Sequence, residues 1–167
     1  MTKMILLVLL VIGVTSCIDN SSRTTIEPRT LFVFGHDTTN YEKWVLESKS
    51  NYLLRITEND TVKVFKYIDS TDSTRGSSFK FRKKNGDLIW FAEKFKVIDS
   101  ADFKLNDGYS ETFYLYEYVN LPIDGNGPFY FNPSFGTLNM DNYSNQFIYL
   151  KIDSLTVADK ILKALAR

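Results

Sequence analysis

The feature that most limits how this chain can fold is the way its apolar residues are parcelled. They come in short runs, and each run is cut off by Gly, Pro, Asn, Asp or Ser. Alternation with a period of two buries one face of a strand, whereas a helix needs apolar residues three and four apart. Thr61-Val62-Lys63-Val64-Phe65-Lys66-Tyr67-Ile68 shows that alternation. So does Thr112 to Val119, where Phe113, Leu115 and Val119 alternate with Tyr114, Tyr116 and Tyr118. The 13 Phe, 10 Tyr and 2 Trp are residue types that strands favour, and each buries a large area. The expected fold is mainly β, an antiparallel sandwich or barrel of about seven to nine short strands. Only the C-terminus reads as a helix, capped by Ser154, with Ala158, Ile161, Leu162 and Leu165 on one stripe.

Within that frame Leu31-Phe32-Val33-Phe34 is a first strand, and Phe129-Tyr130-Phe131 and Phe147 to Ile152 are late ones. Residues 39–48 carry two signals. Thr39-x-x-Glu42 has the form of a capping box, yet Lys43-Trp44-Val45-Leu46 also reads as a strand. On the second reading, which is preferred, Ser48-Lys49-Ser50-Asn51 turns the chain into Tyr52 to Thr57. Turns are expected at Glu58-Asn59-Asp60 and Asn106-Asp107-Gly108, and a loop over Asp69 to Ser78. Asn85-Gly86 marks a two-residue hairpin that would pair Lys84 with Asp87 and Phe81 with Trp90. Phe95 and Val97 then fall on the opposite parity from Trp90, which calls for a bulge or bend near Ala92-Glu93-Lys94.

The N-terminus follows different rules. One Lys precedes an unbroken apolar run, Ile5 to Val14, that ends at Thr15-Ser16-Cys17. The run is about half the roughly 20 residues a spanning helix needs, and it fits the apolar region of a secretory signal. Val14-Thr15-Ser16-Cys17 resembles the bacterial lipobox, an aliphatic residue and two small residues before a cysteine. The resemblance implies that a diacylglycerol is attached to the Cys17 thiol and that the chain is cut between Ser16 and Cys17. Residues 1–16 are then a lipoprotein signal peptide, and 17–30 the lipidated cysteine with a flexible polar tether. Residues 31–167 form a single β-rich soluble domain. Fully extended, the tether would reach on the order of 40 Å. Cys17 is the only cysteine, so the domain has no disulfide and rests on its core.

The formal net charge is zero, which argues against a nucleic-acid partner, since these are held by an excess of Lys and Arg. Catalytic motifs are sparse. His36 is the only histidine and reads as an exposed turn residue, and no Gly-x-Ser-x-Gly elbow occurs. No metal or cofactor is expected, because transition metals draw on several His or Cys ligands. Asp124-Gly125-Asn126-Gly127 resembles the middle of an EF-hand loop, but Pro122 and Pro133 occupy its first and last ligand positions. Glu117 interrupts the Phe113/Leu115/Val119 face and is the carboxylate singled out for a hydrolase reading. Tyr114, Tyr116 and Tyr118 form a stripe that is either a ligand platform or a covered sheet face. Lys80, Arg82, Lys83, Lys84, Lys94 and Lys96 read as a solvated hairpin face.

Gly127-Pro128-Phe129-Tyr130-Phe131-Asn132-Pro133-x-Phe135-Gly136-x-Leu138 is similar in style to segments of small lipoproteins from Bacteroidota. That resemblance, with Ile18 rather than Asp after the cysteine, implies an outer-membrane setting. The expectation is a non-enzymatic, membrane-anchored envelope module that binds an envelope protein, glycan or small apolar ligand. The alternatives are a carboxylate-based hydrolase of envelope glycan and a hydrolase inhibitor or immunity protein.

Overall fold

The computed structural model describes residues 22–106, 108–120, 126–142 and 144–166. Eleven strands and one helix follow in order. The first seven strands are β1 (Arg23–His36), β2 (Trp44–Glu58), β3 (Val62–Asp69), β4 (Gly76–Arg82), β5 (Leu88–Trp90), β6 (Glu93–Asn106) and β7 (Tyr109–Tyr118). Then come β8 (Phe129–Asn132), β9 (Gly136–Thr137), β10 (Asn139–Asp141), β11 (Asn145–Leu150) and α1 (Leu155–Leu165). The mainly β class, the antiparallel pairing and the closing helix are as expected, with more strands than the sequence suggested.

All strands belong to one antiparallel sheet, ordered β10-β11-β1-β2-β3-β4-β5-β6-β7-β8-β9. The two ends of that order are separated in the chain by Leu138 alone. Its amide donates to the Tyr130 carbonyl at 2.8 Å, and its own carbonyl accepts from the Tyr149 amide at 2.8 Å. One segment thus joins β8 to β11, and the sheet closes on itself. Closure removes the free edges that would otherwise invite pairing with another chain.

Both faces of the closed sheet carry apolar clusters. The inner cluster includes Leu31, Leu54, Phe65, Tyr67, Phe79, Trp90, Tyr116, Phe129 and Phe131. Its rings meet edge-on or offset, as between Phe65 and Phe131, whose centroids are 5.0 Å apart at 84°. The outer cluster lies where α1 covers β11 and β6, and it includes Phe32, Phe34, Phe103, Phe113, Ile148, Leu150, Ile161 and Leu162. Strand β1 serves both, because Leu31 and Val33 point inward while Phe32 and Phe34 point under the helix. Each fully buried aromatic or aliphatic side chain contributes about 1.5–3 kcal/mol, so the two clusters stabilise the fold without covalent cross-links.

Several local expectations hold. The turn after Glu58 forms around Asn59, whose side-chain oxygen accepts from the Thr61 and Val62 amides at 3.0 and 2.9 Å. Helix α1 is capped by Ser154, with Ala158, Ile161 and Leu162 buried. Four others need correction. Arg23 to Thr30, expected as tether, belong to β1 and pair with Glu58 to Asn51 of β2. Ser48 to Asn51 are not a turn but lie mid-strand, opposite Val33 to Thr30. Their polar side chains are tolerated because most of that stretch faces solvent. The reversal comes earlier, at residues 37–43, where the Asp37 amide donates to the Lys43 carbonyl at 2.8 Å. The capping box is not used, since the Glu42 amide donates to the Asn40 side chain instead.

The Asn85-Gly86 hairpin has a four-residue loop, closed by the Arg82 amide on the Asp87 carbonyl. Phe81 therefore pairs with Leu88 and Phe79 with Trp90. This shift of two preserves which face each residue occupies. The bend expected near Ala92 is a full reversal. Phe91 and Ala92, with φ of 46° and 68°, form a two-residue loop between Trp90 and Glu93. A bulge does occur in β6, later, between Val97 and Asp99.

Candidate functional site

Strand direction sets where a ligand can enter. Strands β3 and β5 run toward one end of the barrel and finish at Asp69 and Trp90, while β4 starts there at Gly76. A cavity of about 280 Å³ opens at this end. Leu31, Met140 and Phe147 form its apolar floor and side, and Tyr52, Trp90 and Tyr149 add aromatic rings. The rim is polar but uncharged: the Gly76 backbone, Ser77, Asn126 and Asn142. Among the described residues that line the cavity, none carries a formal charge.

Trp90 is the most constrained of these groups. It is 6% exposed, and its indole Nε1–H is buried with no hydrogen-bond acceptor among the described residues. Phe79 stacks on the indole at 5.2 Å and 18°, and the Phe91 ring lies 5.1 Å from it, so the ring is fixed. A buried donor without a partner is costly, and native structures hold few of them. The two phenols stay protonated at neutral pH. Burial pushes both Tyr52 and Tyr149 up; Asp69 adds to the effect at Tyr52, and Tyr67 and Tyr52 add to it at Tyr149. The cavity therefore offers neutral donors and aromatic faces, a set suited to holding a small uncharged molecule.

Two residues before Leu31 on β1, an arginine is buried. Arg29 is 2% exposed; its guanidinium donates to the Phe135 carbonyl at 2.8 Å and the Pro28 carbonyl at 2.9 Å, and it lies over the Phe135 ring. Glu27 completes the arrangement with an ion pair at 2.9 Å. These contacts tie β1 to the segment around Phe135.

The residues singled out in the sequence fall as follows. Cys17 and Ser16 lie outside the described residues, as do Asp124 and Gly125 of the EF-hand-like loop. The tyrosine stripe is not one exposed platform. Tyr114 is exposed at 40%, but Tyr116 and Tyr118 are buried in the inner cluster. Tyr118 packs 4.2 Å from Phe95, and the Tyr116 hydroxyl donates to the Gly86 carbonyl at 3.1 Å. Burial, with Tyr114 and Asp87 nearby, pushes the Tyr116 phenol up to about 12. Glu117 lies on the other face of β7, opposite Lys96, and takes no part in the cavity. His36 is half-buried rather than freely exposed, stacked on Trp44 at 3.9 Å, with Nδ1 buried. Lys83 and Lys94 of the basic hairpin are paired with Glu58 and Asp87.

Among the described residues no group of three or more His, Cys, Asp or Glu could hold a metal ion, and no helix is long and apolar enough to cross a membrane. Comparison with family models, curated proteins and solved structures gives no match for the chain. Sequence patterning missed the cavity because Trp90 reads as an ordinary core residue. Its unpaired N–H arises only when β5 is set beside β4 and β6 at the barrel mouth.

Proposed function

We propose that this chain is a lipid-anchored, non-enzymatic binding module of the bacterial cell envelope, which holds a small uncharged ligand in the mouth of its barrel. The observation that carries the binding reading is the cavity itself, whose described lining is uncharged and joins the rings of Tyr52, Trp90 and Tyr149 to the polar groups of Ser77, Asn126 and Asn142. A carboxylate-based hydrolase would need two acids facing one cleft, and the described lining of this cavity has none. Glu27 and Glu58, which line a smaller cleft elsewhere, are each held in ion pairs with Arg or Lys.

The anchor reading rests on the lipobox-like Val14-Thr15-Ser16-Cys17, with the outer membrane as the expected site. The fold suits that arrangement. Leu31 lines the cavity, and Arg23 lies eight residues earlier on the same strand. At ~3.3 Å per residue the mouth is roughly 26 Å from the end where the chain leads back to Cys17. A ligand site would thus open away from the lipid.

The test is native mass spectrometry of the full chain, expressed in a bacterium and released from membranes. The expected N-terminus is a diacylglyceryl-modified Cys17. After incubation with a small-molecule extract of envelopes, an added mass should appear that Ser77→Trp, which fills the rim, removes. An unmodified Cys17 overturns the anchor, and a bound mass indifferent to Ser77→Trp overturns the site.

A further inference from the structure

We propose that the ligand of the barrel mouth is an uncharged saccharide ring, a conclusion that rests on the binding reading above. The chemistry of the lining narrows the choice in three steps. First, the described lining carries no formal charge, and Tyr52 and Tyr149 keep their protons. An ionic ligand would lose its hydration there without gaining a counter-charge. Second, the polar groups stand in the way of a plain hydrocarbon. The Asn126 and Asn142 amides and the Ser77 hydroxyl would all be covered by such a guest.

Third, what remains is a guest with apolar faces and a rim of groups that both donate and accept. A pyranose has that character. Its C–H face lies against an aromatic ring, and its hydroxyls match amide and hydroxyl side chains, which also donate and accept. Tyr52, Trp90 and Tyr149 supply the rings, and Ser77, Asn126 and Asn142 the edge. The volume of about 280 Å³ lies at the lower end for ligand sites, fitting one ring rather than a long chain. The indole is packed against Phe79, Phe91, Phe95 and Phe129 before any ligand arrives, so little ordering cost is left for binding.

The experiment uses the full chain in phosphatidylcholine vesicles, avoiding detergents with sugar headgroups. Binding is read by isothermal titration calorimetry with methyl glucoside, methyl galactoside and N-acetylglucosamine. Glucosamine and glucuronate serve as charged counterparts, and hexanol as the hydrocarbon control. At least one neutral sugar should bind, with its charged counterparts at least tenfold weaker. Tyr52→Leu, which removes one of the lining rings, should weaken it by roughly five- to tenfold. Because Tyr52 also packs against the core, Ser77→Trp at the rim is the second variant, with circular dichroism confirming both folds; it should abolish binding. Equal binding of charged and neutral sugars overturns the proposal. Hexanol binding that Ser77→Trp abolishes, with no sugar bound, overturns the saccharide and leaves the site. Sugar binding indifferent to Ser77→Trp overturns the site itself, and no binding of any probe overturns both.

Discussion

The Tyr67 hydroxyl accepts a hydrogen bond from the Thr137 amide at 2.8 Å, across 70 positions of sequence and inside the barrel. Thr137 belongs to the short segment that closes the sheet, so this bond ties the closing segment to β3. Tyr67 is fully buried, and burial pushes its phenol up, which keeps it neutral. Tyr67→Phe leaves the Thr137 amide buried without this partner, at a cost of about 1–3 kcal/mol. Urea denaturation should show the loss as a lower midpoint with an unchanged slope.

Gly136, beside Thr137, tests the same closure through the backbone. Its φ of +97° is one that residues with a Cβ rarely adopt, and a Cβ there would run into the Tyr67 hydroxyl. Gly136→Ala is expected to destabilise the domain by more than Tyr67→Phe does. The double variant should recover part of the difference, since removing the hydroxyl makes room for the methyl group. Denaturation of all three variants gives the coupling directly.

Much of this architecture was legible in the chain. Thr61 to Ile68 alternates because it buries one face, and the helix shows its stripe. Thr112 to Val119 alternates but buries both, Phe113 in the outer cluster and Tyr116 and Tyr118 in the inner one. The illegible parts depend on distant partners. Arg29 looks like a tether residue, yet it is buried because its guanidinium reaches the Phe135 carbonyl, 106 positions away. Ser48 to Asn51 look like a turn, yet β1 lies alongside and takes up their backbone groups. Lipid attachment was read from four residues of local pattern, whereas Trp90 shows its spare donor only in the assembled barrel.

Acid should loosen the contacts around Arg29. Burial raises the Glu27 carboxyl, but the hydrogen bond and charge of Arg29, with Lys151 beside it, outweigh that and hold it below its ordinary 4.5. A depressed carboxylate contributes stability that is complete above its unfolded value and is lost as pH falls through the folded one. Glu27→Gln should therefore lower stability at pH 7 and remove its share of the decline below about 4.5. Because Glu27 is about a third exposed, solvent screening keeps the effect modest. Denaturation curves collected from pH 7 to pH 2.5 for both proteins test the sign.

Helix α1 depends on its first turn. The Ser154 side chain accepts from the Val157 amide, and the first turn carries no acidic residue to share in satisfying its N–H groups. Ser154→Ala should cost about 1 kcal/mol, and Ser154→Asp should restore or exceed the original stability through the helix dipole. A gain from Ser154→Asp that disappears in high salt would separate the charge effect from the cap itself.

The reversal at Phe91-Ala92 offers the opposite outcome, a change that stabilises. Both residues hold positive φ, 46° and 68°, where Asn-Gly would sit without strain. Each such residue with a Cβ costs roughly 1–2 kcal/mol. Replacing the pair by Asn-Gly should raise stability by about 1–2 kcal/mol in total, since Phe91 is 76% exposed but still loses its contact with Trp90. That contact is the reason the strained pair bears on function: the Phe91 ring is one of four that pack against the indole, with Phe79, Phe95 and Phe129. The Asn-Gly variant should therefore be more stable in urea yet bind the neutral sugar more weakly, because Trp90 gains freedom that ligand must remove. A variant that is both more stable and equally tight would show that Phe91 has no part in holding Trp90.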